Sequence, residues 1–95
     1  MSQYRLLCLH KEDNVAVALT EIPAQTNVEL QVGTEVVSLT VLENIRFGHK
    51  LAIKPIKQGE DVIKYGQVIG IATQEIKPGQ HVHVHNIKSK QREEV

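Results

Sequence analysis

The stretch Ile76-Lys77-Pro78-Gly79-Gln80-His81-Val82 decides how this chain folds. It opens on an apolar residue, reaches a turn residue three places later, and returns to an apolar residue three places after that. The same spacing recurs in Ile22-Pro23-Ala24-Gln25-Thr26-Asn27-Val28, in Ile45-Arg46-Phe47-Gly48-His49-Lys50-Leu51 and in Ile56-Lys57-Gln58-Gly59-Glu60-Asp61-Val62. Three of the four copies have glycine in the middle, and Gln25 is the exception. Glycine there permits a positive backbone angle at a corner. Pro78-Gly79 fits the two central positions of a type II turn. Each unit should anchor one apolar residue, turn sharply and launch a strand.

Short apolar runs fill the space between these units. Residues 4–9 read as an opening strand, residues 10–14 as a polar turn, and residues 15–19 as a second strand favoured by Val15 and Val17. Residues 29–32 and 35–42 flank Gly33-Thr34, a hairpin signal. The adjacent Val36 and Val37 break the alternation there and predict a bulge. Residues 49–53 form a strand stopped by Pro55, and residues 62–63 and 67–73 flank the turn Lys64-Tyr65-Gly66. No segment keeps helical periodicity over ten residues. The expectation is a small all-β domain, barrel-like or clip-like, over residues 3–87, followed by a charged tail or linker at 88–95.

Ninety-five residues make one domain. Eleven basic and eleven acidic residues cancel, so no net field draws the chain to nucleic acid or an anionic membrane. Tyr4, Phe47 and Tyr65 are the only aromatic residues of the Phe, Tyr and Trp kind, too few for a base-stacking platform. Cys8 is the single cysteine, which rules out an internal disulfide, and it sits in an apolar run as a buried, inert thiol. Charged residues interrupt the first twenty positions, and no apolar run has membrane-spanning length. These features predict a cytoplasmic protein.

The fourth unit runs on into Gly79-Gln80-His81-Val82-His83-Val84-His85-Asn86. Its strict alternation is that of a strand with one buried face. Val82 and Val84 should point into the core, and His81, His83 and His85 to the other side. Alternate residues lie about 6.5–7 Å apart, so two neighbouring imidazoles can converge on one metal or substrate. The outer two are separated by about 13 Å along an extended strand, which keeps all three from meeting. Any metal site would be open and completed from elsewhere. The same alternation also describes a solvated surface strand. Gly66-Gln67-Val68-Ile69-Gly70 lacks the strand–turn–helix setting of a phosphate loop, so its glycines should serve turns and close packing. No Ser/His/Asp arrangement is readable. What remains are cations and imidazoles at corners: His49-Lys50, Lys64-Tyr65 and the three strand histidines. A polyhydroxy acid suits them, its carboxylate taking lysine and its hydroxyls His, Asn and Tyr.

Asp13-Asn14-Val15-Ala16-Val17-Ala18-Leu19, Gly48-His49-Lys50-Leu51-Ala52, Val62-Ile63-Lys64-Tyr65-Gly66-Gln67-Val68-Ile69-Gly70 and Gly79 to Asn86 together resemble, in order and spacing, the N-terminal domain of the altronate dehydratase family. The resemblance covers about residues 4–87 and implies a SAF-type β-clip fold. It implies a sugar-acid lyase that removes water from altronate or galactarate to give a 2-keto-3-deoxy acid, with a divalent metal such as iron. It also implies a larger catalytic subunit or C-terminal domain as partner, with no activity from this part alone, and leaves room for a homo-oligomer. A related enzyme, sulfolactate sulfo-lyase, keeps such a domain as a separate small subunit. A sugar-acid-binding or docking module without a catalytic role is the alternative. On this footing His83, His85 and Asn86 are the candidate catalytic residues, with His83 and His85 as metal ligands. His49, Lys50, Lys64 and Tyr65 are the candidates for substrate binding.

Overall fold

All four seven-residue units close as their spacing requires. The computed structural model describes residues 4–89. Ile22, Ile45, Ile56 and Ile76 have no exposed surface, and Val28, Leu51, Val62 and Val82 are buried beside them. Burying each isoleucine contributes roughly 2 kcal/mol. The central residues Gln25, Gly48, Gly59 and Gly79 have φ of 69°, 85°, 89° and 91°. Gln25 therefore adopts the left-handed corner without being glycine. In each unit the central N–H and the next carbonyl bond one residue on another segment. Gln25 and Thr26 bond Val41, Gly48 and His49 bond Ala18, Gly59 and Glu60 bond Ala72, and Gly79 and Gln80 bond Ala52.

The units couple in twos. Ile22 and Ile45 exchange both backbone hydrogen bonds at 2.8 Å, and Ile56 and Ile76 do so at 2.9 and 2.8 Å. One apolar cluster gathers around Ile22, Val28, Ile45 and Leu51, and another around Ile56, Val62, Ile76 and Val82. The four corners thus couple as two pairs, each with its own apolar cluster, while Ala16, Leu30, Val32 and Ile53 form a third.

Nine short strands connect the corners: β1 (Leu6–Leu7), β2 (Val15–Ala18), β3 (Asn27–Val32), β4 (Glu35–Thr40), β5 (Lys50–Ala52), β6 (Asp61–Lys64), β7 (Gln67–Ala72), β8 (His81–Val82) and β9 (Ile87–Lys88). They form three antiparallel groups, β1-β2-β5-β8, β3-β4 and β6-β7-β9. The described residues are all-β, as expected. None of their helices is long and apolar enough to cross a membrane, since there is no helix among them. Asp13 and Asn14 tie the groups together. Buried Asp13 accepts from the amides of Leu9 and His10 at 3.2 Å and of Gly66 at 2.8 Å. Asn14 donates to the Asp61 carbonyl and accepts from the Ile63 amide, at 2.9 and 2.7 Å.

Several expectations need correction. The bulge predicted at Val36-Val37 is absent: β3 and β4 pair without a slip, and Val36 simply faces solvent at 67% exposure. The register shift falls instead between Val62 and Ile63 on β6. The opening strand shrinks to Leu6–Leu7, because only those residues pair with β2. Lys88, expected in a tail, pairs with Ile71 in β9. Gly70 makes that crossing possible: a Cβ there would stand 2.5 Å from the Lys88 carbonyl oxygen. The rest of the expected tail, residues 90–95, and residue 3 lie outside the described residues.

The largest correction concerns the histidine stretch. It is a strand only over His81–Val82, after which residues 83–86 turn back, with the amides of Asn86 and Ile87 donating to the His83 carbonyl at 3.0 and 3.1 Å. Val84 is therefore 81% exposed rather than in the core. β5 supplies too short an edge to pair a longer strand, and the buried amide of Asn86 stabilises the turn that replaces it.

Candidate functional site

Three imidazoles from two corners meet on one face. β5 and β8 pair with Lys50 opposite Val82 and Leu51 opposite His81. Extending that register by one residue sets His49 across from His83. Residues opposite one another share a face, and successive residues alternate. His49, His81 and His83 accordingly point the same way, and Lys50 points the other way with Val82.

The rings confirm the register. His49 lies 5.1 Å from His81 and 4.9 Å from His83, centroid to centroid, and His81 lies 5.3 Å from His83, all stacked. His49 Nδ1 and His81 Nε2 are 2.9 Å apart, within hydrogen-bond distance. One ring nitrogen from each of the three lies within 4.8 Å of the others. Among the described residues this is the group of side chains whose geometry suits a metal ion.

Two neighbours hold the backbone under these rings. The buried side-chain amide of Asn86 accepts from the His83 N–H at 2.9 Å and donates to the His81 carbonyl at 2.8 Å. Both ends of that amide are thus engaged, which makes Asn86 a positioning residue. Glu43 accepts from the His81 N–H at 3.1 Å. Burial pushes the His81 ring below its ordinary pKa of 6.5, and the neighbouring His49, His83 and His85 add to this, against an opposing pull from Glu43. A neutral imidazole with a free lone pair is the form that binds metal.

His85 is exposed, and its ring sits 5.5 Å from His81, tilted. The turn at residues 83–86 brings it far nearer than the extended spacing allows. It stands at the rim of the cluster and outside the convergent three. The expected pair His83 and His85 is thus divided, and His49 and His81 join His83. Sequence reading placed His49 with substrate and left out Glu43. The signal for His49 lies in its place in the second unit, one residue after the glycine corner that abuts β8.

Lys50, Lys64 and Tyr65 lie outside the histidine cluster. Tyr65 and Gly66 both have positive φ, 54° and 78°, in a two-residue hairpin turn of the type I′ pattern. The Lys64 ammonium lies 5.2 Å from the centre of the Tyr65 ring. Burial lowers the Lys50 pKa, and the like charge of Lys64 lowers it further. Of the four expected substrate residues, His49 joins the histidine cluster, Lys50 faces the other side of β5, and Lys64 and Tyr65 sit at the β6–β7 hairpin.

Cys8 is half-buried, with Sγ 3.4 Å from the His10 carbonyl and 3.6 Å from Asp13 Oδ2. Burial and then the Asp13 charge push its pKa up, which fits an inert thiol.

An all-β clip of paired corners bearing an open histidine cluster is the class that this fold and site define. The sequence model of the altronate/galactarate dehydratase SAF domain matches residues 4–90, and the chain belongs to that family. Altronate dehydratase from Bacillus subtilis (strain 168) is 41% identical over 81 residues, which cover 85% of this chain and 16% of that protein. The (2R)-sulfolactate sulfo-lyase subunit alpha of Chromohalobacter salexigens is 52% identical over 50 residues, 53% of each chain. Galactarate dehydratase (L-threo-forming) from Escherichia coli (strain K12) is 32% identical over 71 residues, 75% of this chain and 13% of that protein. The chain thus spans about a sixth of the altronate dehydratases it matches.

Proposed function

We propose that this chain serves as the small subunit or N-terminal domain of a sugar-acid lyase of the altronate dehydratase type, working with a larger catalytic chain or domain. The observation that carries this reading is the convergence of His49, His81 and His83 within a domain of this family. Their chemistry fits a divalent ion such as iron. Three imidazoles offer three neutral nitrogen ligands, and the remaining positions stay open for substrate or for groups from the partner.

His49, His81 and His83 would hold the ion. When bound, it supplies positive charge against the negative charge that builds beside the substrate carboxylate as the neighbouring proton leaves. Asn86 and Glu43 fix the backbone on which His81 and His83 stand. His85, exposed at the rim, is the ring free to accept or return a proton. In the dehydration, a proton leaves the carbon next to the carboxylate and hydroxide leaves the following carbon as water. The resulting enol becomes the 2-keto-3-deoxy acid.

A second reading is the small subunit of a sulfolactate sulfo-lyase. It is favoured by the 52% identity to the alpha subunit, of which the match covers about half.

The test is reconstitution with the larger chain, with release of 2-keto-3-deoxy acid from altronate and galactarate and of sulfite from sulfolactate as readouts. We expect His49→Ala, His81→Ala and His83→Ala each to lower turnover by about 100-fold, as loss of metal ligation does. Full activity in the His81→Ala/His83→Ala double variant removes the histidine site from the chemistry. It leaves a docking module.

A further inference from the structure

The β4 edge of the β3–β4 hairpin is open over most of its length. The ladder runs from Asn27 opposite Thr40 to Val32 opposite Glu35 without a slip. Continued by one residue, it sets Thr26 opposite Val41, and these two bond: the Val41 N–H donates to the Thr26 carbonyl at 2.8 Å. Antiparallel pairs alternate between hydrogen-bonded and non-hydrogen-bonded. The bonded pairs are therefore Val28 with Leu39, Leu30 with Val37 and Val32 with Glu35. Val36, Ser38 and Thr40 aim both backbone groups away from β3. Leu42 has the same phase and marks this direction, since its N–H leaves the hairpin and donates to the Gly79 carbonyl at 2.8 Å. The Gly79 corner also lies against the Thr40 carbonyl and closes the base of the edge. Beyond it, the N–H and carbonyl of Val36 and of Ser38 have no hydrogen-bond partner among the described residues.

Exposed strand edges are ordinarily blocked by lysine, proline, a bulge or a covering segment. Glu35-Val36-Val37-Ser38-Leu39-Thr40 has neither lysine nor proline, carries one charge beside the turn, and pairs without irregularity. The core face is also left unfinished along this strand. Val28, Leu30 and Val32 on β3 are buried, whereas Val37 and Leu39 on β4 are half-buried and Val36 is exposed on the other face. A further strand laid along β4 covers that apolar margin and takes up the free backbone groups.

We propose that the occupant is β4 of a second copy of this chain, paired antiparallel about a two-fold axis at Val37. The Gly79 corner selects this register. A pairing centred on Ser38 needs the shielded Thr40 carbonyl, whereas one centred on Val37 needs only Val36 and Ser38. Val36 then exchanges both hydrogen bonds with Ser38 of the second copy, and Ser38 does the same with Val36 of that copy. Every free group on the edge is satisfied. The two Val37 side chains meet on the core face as a non-hydrogen-bonded pair, the closer of the two kinds. Glu35 lies opposite Leu39 of the second copy, and the two Glu35 positions end roughly 13 Å apart along the strands, so like charges do not meet. The contact is isologous and closes at a dimer. Its surface is small, so the dimer is a weak one. It draws on neither the histidine cluster nor the lyase reading.

The experiment is sedimentation velocity of the full 95-residue chain from about 10 μM to 1 mM, with amide hydrogen exchange at both ends of that range. We expect a monomer–dimer equilibrium with a Kd of about 0.1–1 mM. The amides of Val36 and Ser38 should gain about twofold protection or more at the high concentration, while that of Val37, already bonded within the hairpin, should not change. Ser38→Pro removes an outward N–H and spares the bonds to β3, and should weaken dimerisation about tenfold or more. Val36→Lys, whose side chain faces solvent in the monomer, should do the same through charge and keeps the test open if proline unfolds the hairpin. A chain that stays monomeric at the highest concentration overturns the pairing. So does a dimer with unchanged exchange at Val36 and Ser38, or one that survives Val36→Lys. Protection of these amides by another protein chain without self-association would also overturn it, and would give the edge to that partner.

Discussion

His49 and His81 are joined nitrogen to nitrogen, Nδ1 to Nε2, at 2.9 Å. One ring donates and the other accepts, so the pair holds a proton between two nitrogens that face the same space. This hydrogen bond draws two corners 32 residues apart into contact and leaves His83 stacked against both. On the proposed metal-binding reading, an ion would take nitrogens that this hydrogen bond now occupies, and the N–H between them would move to its ring's other nitrogen.

Metal binding should therefore shift a tautomer rather than release a proton, the N–H moving to the donor ring's other nitrogen as the ion takes the freed lone pair. We expect the chain to bind one zinc or ferrous ion at pH 7.5 with close to zero protons released per ion. Calorimetry in two buffers of different ionisation enthalpy reads the proton count. His81→Ala should abolish the high-affinity phase, whereas His85→Ala should alter affinity less than about threefold, because His85 lies outside the convergent trio. Equal losses in the two variants would contradict the trio.

Asp13 should govern acid stability. Burial raises its carboxyl pKa, but the amides of Gly66, His10, Leu9 and Tyr65 more than offset this, and the net shift is below the ordinary 3.8. A carboxyl depressed in the folded state stabilises the fold above its unfolded value, and that contribution is lost as pH falls through the folded value. Asp13→Asn replaces an acceptor with a donor facing N–H groups, and should cost about 2 kcal/mol at pH 7. Urea unfolding at pH 7 and near pH 3 should show the gap to wild type narrowing in acid. A gap independent of pH would exclude the ionised carboxylate as its cause.

The four corners should respond to substitution unequally. Gln25 occupies a left-handed position without need of its side chain, so Gln25→Gly should stabilise by about 0.5–1 kcal/mol. Gly48→Ala meets open space and carries only the backbone penalty of about 1 kcal/mol. At Gly79 a Cβ would stand 2.1 Å from the Thr40 carbonyl oxygen, whose neighbour segment bonds the Gly79 carbonyl through Leu42. Gly79→Ala should cost well over 3 kcal/mol, combining the left-handed penalty with a clash that only backbone movement relieves. Thermal midpoints in the order Gln25→Gly, wild type, Gly48→Ala, Gly79→Ala would bear this out, and an inverted order would not.

These corners explain what was readable in advance. The spacing of Ile22, Ile45, Ile56 and Ile76 fixed the turns and the buried anchors because it is local: seven residues contain both the bend and its two apolar ends. The pairing of corners is not local. Nothing within residues 45–51 says that Ile45 will pair with Ile22 while Lys50 and Leu51 pair with Val82 and His81, so His49 could not be joined to His81 and His83 by pattern. Periodicity also misled at Val84, where alternation persisted beyond the end of the strand. The turn there depends on Asn86 reaching back to His83, a contact that alternation does not encode. Lys50 was legible as a corner cation, and only the ladder register showed that it faces away from the histidines.

On the proposed lyase reading, Phe47 and Val84 should mark where a larger partner covers the histidines. Among the described residues they are the two most exposed large apolar side chains, at 70% and 81%, and each lies within two residues of a trio member. Phe47 is the residue before Gly48 at the corner that carries His49, and Val84 follows His83. Leaving both in water forgoes roughly 2–4 kcal/mol of burial that a partner surface can recover. Phe47→Ser and Val84→Ser should leave metal affinity and folding of the chain within about twofold and 0.5 kcal/mol of wild type. The same variants should weaken association with the larger catalytic chain at least tenfold, read by surface binding kinetics. Unchanged association in the double variant would move the interface to another face. Parallel loss of metal affinity would instead mean that these side chains shape the histidine site itself.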